Sequence, residues 1–229
     1  MRLLSKTLAI VCPLLLLLST NCFAYAIIGN ATSVTMGSSA NRLSDFAGGE
    51  FTLKTNLGEE YAAFCVEWEE HIGFGTSYTI DSVEDYANRG GGDDNGAILE
   101  DNEYRDYLST ETKWLMNEYV NGGLKNSYAS IDGEIFGAVM QVAIWKLEDE
   151  NYYSDYEKLY GELADDLIEI ASANVQGLDD SMFANVKVVN LANAQSQIIA
   201  APVPEPPTML LLGTGLFGIA GLGRKKLVK

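Results

Sequence analysis

The chain has 229 residues, 47% of them hydrophobic, and a net charge of −17 at pH 7. Six of its 15 basic residues lie in positions 1–26 or 202–229, and nearly all of its 32 acidic residues lie between these ends. So acidic a central part argues against binding to nucleic acid or to anionic lipid, since phosphates are bound mainly by lysine and arginine.

The first 26 residues have the order of a secretory signal peptide. Arg2 and Lys6 precede a leucine-rich apolar run over 8–18, and Ala24 and Ala26 satisfy the A-x-A rule for signal peptidase. We expect signal peptidase to cut after Ala24 or Ala26 and to leave residues 27–201 as an exported domain ahead of the C-terminal tail.

Cysteine usage adds a second constraint. Cys12 and Cys22 lie in the signal peptide, so Cys65 is the only cysteine of the exported domain. Exported domains usually pair their cysteines, and a lone thiol therefore needs another explanation. A lipoprotein would use Cys22 as its acylated residue, but the three residues before it lack the usual small aliphatic pattern.

Short β-like segments fill the first part of this domain. The sequence predicts strands over 51–55, 61–68 and 77–80, because β-branched and aromatic residues are enriched there and turn residues separate the runs. Residues 56–58 are expected to form a hairpin turn, and the glycine-rich residues 90–96 an open loop.

Apolar residues recur with helical spacing after this loop. Ser109 is expected to cap a helix that ends at Asn121, and further helices are predicted over 132–148 and 154–173. The third helix is expected to bury an apolar stripe made of Leu159, Leu163, Leu167 and Ile170.

Two closing strands are predicted over 182–191 and 197–200, and we expect them to pair with the first sheet. The fold class is therefore α+β, with antiparallel sheet elements flanking a block of about three helices. A signal helix before this domain and a short hydrophobic helix after it complete the predicted architecture.

The first of two unusual motifs is Phe64-Cys65-Val66-Glu67 in the second predicted strand. Strand alternation places Phe64 and Val66 on one face and Cys65 and Glu67 on the other. Because Cys65 would then lie beside carboxylates and away from the large apolar face, we interpret it as a functional residue and not as a packing residue.

The second motif lies in the helix predicted over 132–148. Of the eleven residues over 135–145, Gln141 alone is neither apolar nor glycine, so this helix is expected to be buried nearly all round. An unpaired buried amide costs about 1–3 kcal/mol, and Gln141 must therefore have a partner. It is either a core glutamine bonded to the backbone of a neighbouring strand or a reactive group.

Together these motifs resemble the thioester domains of bacterial surface proteins. Phe64, Cys65 and Glu67 match the aromatic-Cys-hydrophobic-acidic half of that signature, and Gln141 and Trp145 match its Gln-x-x-hydrophobic-Trp helix. The resemblance implies an internal thioester, with Cys65 as the sulfur donor and Gln141 as the acyl donor. It also implies a covalent adhesin that bonds to an amine or hydroxyl on a surface or polysaccharide. Members of the family often have threonine before the glutamine, where this chain has methionine.

Other catalytic and metal-binding chemistry has little support in the sequence. His71 is the only histidine, which argues against a multi-histidine metal site or a histidine-based triad. Residues 93–95 are acidic or amide side chains in a glycine loop but lack the spacing of an EF-hand. Acidic pairs such as Asp165 and Asp166 arise by chance among so many acids. We therefore expect no enzymatic activity, no bound metal and no cofactor.

The C-terminal tail, residues 202–229, combines three features in a fixed order. Pro204, Glu205 and Pro206 form an extended, helix-breaking segment, residues 208–222 carry no charge, and basic residues follow. Fifteen helical residues reach about 22 Å, short of the roughly 30 Å hydrocarbon core. A processing signal is therefore favoured over a permanent anchor.

This tail resembles the PEP-CTERM sorting signal of exported Gram-negative proteins, in which a membrane transpeptidase, the exosortase, recognises the Pro-Glu-Pro motif. The resemblance implies that the chain crosses the inner membrane, is anchored there transiently through residues 208–222, and is then released to the cell surface or extracellular matrix. Two functions stay open for the exported domain. It is either a covalent adhesin or a passive structural component of the biofilm matrix without a thioester, in which Cys65 is free or joins two chains.

Overall fold

A computed structural model describes residues 28, 30–42, 48–68, 70–88, 97–124, 133–150 and 154–202. The predictions for the signal peptide, for the loop at 93–95, for the sorting motif at 204–206 and for the apolar run over 208–222 lie outside these described residues.

The described residues form strands, three α-helices and a short 3-10 turn. In chain order the elements are β1 (Ser33–Arg42), β2 (Gly49–Thr55), β3 (Glu60–Cys65), β4 (Ser77–Glu84), β5 (Tyr86–Asn88), β6 (Ile98–Glu100), β7 (Glu103–Tyr107), α1 (Thr110–Val120), α2 (Gly133–Leu147), α3 (Ser154–Asn174), the 3-10 turn (Asp180–Phe183), β8 (Val186–Leu191) and β9 (Ala194–Ala200). Antiparallel sheets with three helices confirm the α+β class.

Six antiparallel strands close into a barrel in the order β1, β2, β3, β9, β8, β4. The closing strands return to the first sheet, as expected: β9 pairs with β3, and β8 pairs with β4. The β2–β3 hairpin turns at residues 56–58, where Gly58 has a φ of 89°. This left-handed conformation favours glycine because no Cβ is present.

A small second sheet has the order β5, β7, β6. Its β6–β7 hairpin turns through Asp101 and Asn102, whose φ angles are 53° and 66°. Aspartate and asparagine tolerate this conformation better than other side chains, and two successive positive φ angles suit the twist of a tight hairpin.

Two apolar cores lie on opposite faces of the barrel wall. Alternate residues of a strand point to opposite faces, so β3 contributes Ala63 and Cys65 to one core and Phe64 to the other. The helix core joins the three helices to outward-facing strand residues and to Val66, which directly follows β3; the strand residues include Phe64, Val186, Val188, Ile198 and Ala200. The barrel core consists of Ile28, Val34, Met36, Phe51, Leu53, Ala63, Cys65, Trp145, Val189, Leu191, Ala194 and Ile199.

The helices begin and end close to the predicted positions. The Ser109 side chain accepts a hydrogen bond from the Thr112 backbone N–H, and Asn121 forms the C-cap of α1. Every residue of α2 from Phe136 to Trp145 is buried, so this part of the helix is covered on all sides. It contacts both α3 and the barrel strands β1 and β2.

The predicted apolar stripe of α3 is wrong at two positions. Leu159 and Ile170 are exposed, whereas Ala164, Leu167 and Ala171 are buried. Small alanine side chains let α3 approach α2 closely. The face of α3 that contains the alanines therefore points inward, and Leu159 and Ile170 point outward.

Several strand boundaries also differ from the prediction. Strand β3 ends at Cys65 and not at Trp68, and the 3-10 turn Asp180–Phe183 occupies the start of the segment predicted as a strand over 182–191. Strands β1, β5, β6 and β7 were not predicted. Much of their sequence is small or polar, and their pairing with distant strands stabilises them.

Candidate functional site

Gln141 lies where strands β2 and β3 separate. These strands pair as far as Phe51 opposite Ala63, and the same register would next bring Gly49 opposite Cys65. At that position the Gln141 Oε1 atom accepts hydrogen bonds from the Cys65 N–H at 2.9 Å and the Gly49 N–H at 3.2 Å. The Gln141 Nε2 atom donates to the Cys65 carbonyl at 2.9 Å. The carboxamide thus takes the place of a peptide group between the two strands.

The Cys65 side chain lies in the barrel core and is only 2% exposed. The predicted alternation of Phe64 and Cys65 is confirmed, but the expectation that Cys65 avoids apolar surroundings is wrong. Because the sheet closes into a barrel, its second face is apolar as well. Burial raises the pKa of the Cys65 thiol, which is therefore protonated at neutral pH.

Gln197 is a functional candidate that the sequence analysis missed. It lies directly opposite Cys65 in the β3–β9 pair, is fully buried, and brings its Nε2 atom to 3.9 Å from the Cys65 Sγ atom. The sequence signal that could have identified it is a polar residue, Gln197, directly before Ile198 and Ile199 in a buried strand. Its relation to Cys65 depends on strand pairing across 132 residues of sequence.

Aromatic residues of both motifs pack around this site. The Phe64 ring meets Tyr119 edge-on at 5.2 Å between centroids, and the Trp145 ring meets Trp68 edge-on at 4.8 Å. A Cβ atom on Gly48 would lie 2.6 Å from Gln141 Cγ and 2.7 Å from the Trp145 ring. Only glycine at this position lets the backbone pass so close to the carboxamide.

Glu67 is buried next to the site and is only 1% exposed. Its Oε2 atom accepts from the Ser196 N–H at 3.1 Å, and its main-chain carbonyl accepts from the Gln195 side chain. Desolvation, reinforced by the charge of Glu70, raises the Glu67 pKa to about 8. Glu67 is therefore largely protonated and uncharged at neutral pH.

The buried carboxyls predict an acid-stabilised fold. Desolvation and the nearby Glu148 raise the pKa of Asp106 to about 7, and the pKa of Glu67 is about 8, against ordinary values of about 4. The folded chain then holds protons that the unfolded chain releases. We expect this contribution to the free energy of unfolding to be complete below about pH 4 and lost as the pH rises through 7 to 8.

Urea unfolding at pH 5 and pH 8 measures this effect. Asp106→Asn should reduce the difference in midpoint between the two pH values, whereas Asp166→Asn, at an exposed position, should leave it as in the wild type. An Asp106→Asn chain with the wild-type pH dependence would contradict the assignment.

The other candidate residues lie at the surface of the described part of the chain. His71 is exposed, as are Asp165 and Asp166. Within the described residues, no group of three or more His, Cys, Asp or Glu side chains is placed to hold a metal ion. None of the described helices is long and apolar enough to cross a membrane.

Comparison with known families identifies the tail. Residues 202–225 match the PEP-CTERM protein-sorting motif, and this stretch includes Pro204, Glu205 and Pro206. Comparisons with curated proteins and with solved structures gave no match. The chain thus carries the sorting signal of an exported protein whose membrane-anchored precursor is processed by an exosortase.

Proposed function

We propose that the exported domain is a covalent adhesin, in which Cys65 and Gln141 form an internal thioester that bonds to an amine or hydroxyl on a target surface. One observation carries the proposal. The Gln141 carboxamide is hydrogen-bonded to the main chain of Cys65 through both its oxygen and its nitrogen, so the acyl group is held at the residue that bears the only thiol of the domain.

The bond would form by displacement of ammonia. The Cys65 sulfur attacks the Gln141 side-chain carbonyl carbon, the C–N bond breaks, and the thiol proton leaves with the nitrogen as ammonia. A nucleophilic amine later attacks the same carbon, the C–S bond breaks, and the amine's proton passes to the sulfur. The products are an amide to Gln141 and a free Cys65 thiol.

The Gln141 oxygen has the environment that acyl transfer needs. Two backbone N–H groups, of Cys65 and Gly49, donate to Oε1 at 2.9 and 3.2 Å. Negative charge develops on this oxygen in the tetrahedral intermediates of both steps, and two fixed donors stabilise that charge. The buried position also limits hydrolysis by water.

Peptide mass measurement tests the bond. The full chain, extracted in detergent and digested without reductant, should yield a cross-linked peptide that contains Cys65 and Gln141 and lacks about 17 Da, the ammonia lost. Cys65→Ala and Gln141→Glu chains should yield uncrosslinked peptides of the calculated mass. A wild-type chain with full mass and an alkylatable Cys65 would reject the thioester.

A passive structural role is the second candidate, and the same hydrogen bonds give it a basis. A carboxamide that bridges two strands through three backbone bonds stabilises the barrel without any reaction. The version with a disulfide between two chains is disfavoured, because the Cys65 side chain is buried. A full wild-type mass would favour this candidate.

A further inference from the structure

The Gln197 side chain lies at the Cys65 sulfur, and the acyl transfer described above gives it no role. Its Nε2 atom lies 3.9 Å from Sγ and also donates to the main-chain oxygens of Ser196 at 3.1 Å and Gln195 at 3.4 Å and to the Gln195 side-chain oxygen at 3.4 Å. The carbonyls of its own strand therefore fix this nitrogen beside the sulfur.

The other polar atom of this side chain is unsatisfied. Gln197 Oε1 is buried and has no hydrogen-bond partner among the described residues. A buried carbonyl without a partner lowers stability, and such groups are uncommon in native proteins. This acceptor belongs to the same carboxamide whose Nε2 atom lies at the Cys65 sulfur.

We propose that Gln197 is the hydrogen-bonding partner that activates the Cys65 sulfur, both as the nucleophile when the thioester forms and as the leaving group when it opens. This inference rests on the proposed thioester. A carboxamide suits the task because it can donate to a negatively charged sulfur through Nε2 and accept from a neutral thiol through Oε1, without adding charge to a buried site.

The environment of the sulfur explains why such a partner is needed. When an amine opens the thioester, the C–S bond breaks and its electron pair moves to sulfur before a proton arrives. The barrel core is apolar, and burial disfavours the thiolate. A fixed N–H donor at the sulfur lowers the cost of that charge in the transition state.

Asn185 provides a control outside this hydrogen-bond network. It is also buried, but its Nδ2 atom donates to the Asn117 side chain and the Ala201 carbonyl, each at 2.9 Å. Asn185→Leu and Gln197→Met each replace a buried amide with an apolar side chain of similar size. A purely structural role of Gln197 predicts similar effects of the two substitutions on the reaction.

The experiment measures the rate at which methylamine opens the thioester in the full-length chain. We expect Gln197→Met to slow this reaction by about 10- to 100-fold, the loss for one hydrogen bond to a charged group, or to prevent the thioester from forming. Asn185→Leu should react at close to the wild-type rate. If Gln197→Met does not fold, Gln197→Asn keeps the amide but withdraws it from the sulfur and should also react slowly.

Each contrary outcome is distinguishable. A thioester that reacts at the wild-type rate in Gln197→Met, or equal slowing by Gln197→Met and Asn185→Leu, overturns the role of Gln197 and leaves the thioester intact. A wild-type chain without any thioester overturns the proposed function and this inference together.

Discussion

Methylamine added to the folded chain should become covalently attached to Gln141, and Cys65 should become alkylatable in the same step. The expected effect is all or none, because neither residue alone provides an activated acyl group: an ordinary carboxamide does not react with amines under mild conditions. Cys65→Ala and Gln141→Glu should incorporate no amine. Peptide mass spectrometry locates the adduct and quantifies the released thiol.

Two controls make this result specific. Gln176→Glu makes the same chemical change at an exposed glutamine and should incorporate methylamine like the wild type. A chain unfolded before amine is added should show an already hydrolysed acyl group, since the barrel no longer excludes water. Adducts that persist in Cys65→Ala would show that the amine reacts elsewhere.

Replacement of Pro204, Glu205 and Pro206 together by alanine should leave the chain as an unprocessed precursor in the membrane fraction. The three residues lie inside the matched sorting motif, and the replacement removes the restriction that proline places on the backbone. We expect loss of processing and not partial slowing. Fractionation of cells that contain the exosortase, with mass measurement of the C-terminal peptide, checks the result.

Pro207→Ala is the matched control for this replacement, because it removes a neighbouring proline outside the triplet. It should be processed normally. Wild-type protein in cells without the exosortase should accumulate in the same way as the triple variant. Normal processing of the triple variant would show that the enzyme reads another part of the tail.

The helices were predictable because their signals are local. Ser109 caps the helix it precedes, Asn121 ends it, and the apolar run around Gln141 is long enough to exclude a strand. The apolar pattern of this helix also predicted that the buried Gln141 amide needs a hydrogen-bonding partner. These conclusions depend on residues within a few turns of each other, which a single sequence displays directly.

The barrel was not predictable in the same way. β1 contains serine, glycine and asparagine, and only its pairing with β2 and β4 reveals it as a strand. Closure of the sheet also changes the burial that strand alternation predicts, because both faces of a strand are then covered. In an open sheet Cys65 could face solvent, but in a closed barrel its side chain has no exposed direction available.

The candidate site was predictable only in part, for the same reason. Cys65 and Gln141 stand out because each residue type is unusual where it occurs. Gln197 and Gly48 are ordinary residues in their own segments, and their importance comes from contacts with chain segments far away in sequence. No local pattern reports such contacts.

The position of β9 would have a mechanical consequence in any state in which the chain is held through its C-terminal end, as in the membrane-anchored precursor. The chain continues from Ala200 towards the sorting tail, and β9 is hydrogen-bonded to β3 on one side and to β8 on the other. Pulling on that end loads both ladders in shear, so many hydrogen bonds resist together and do not open one at a time. Cys65 lies on β3 directly opposite Gln197 of β9. A target bound at Gln141 would therefore transmit force along a short path across the barrel wall. Helices α1 and α3 would carry little of this load.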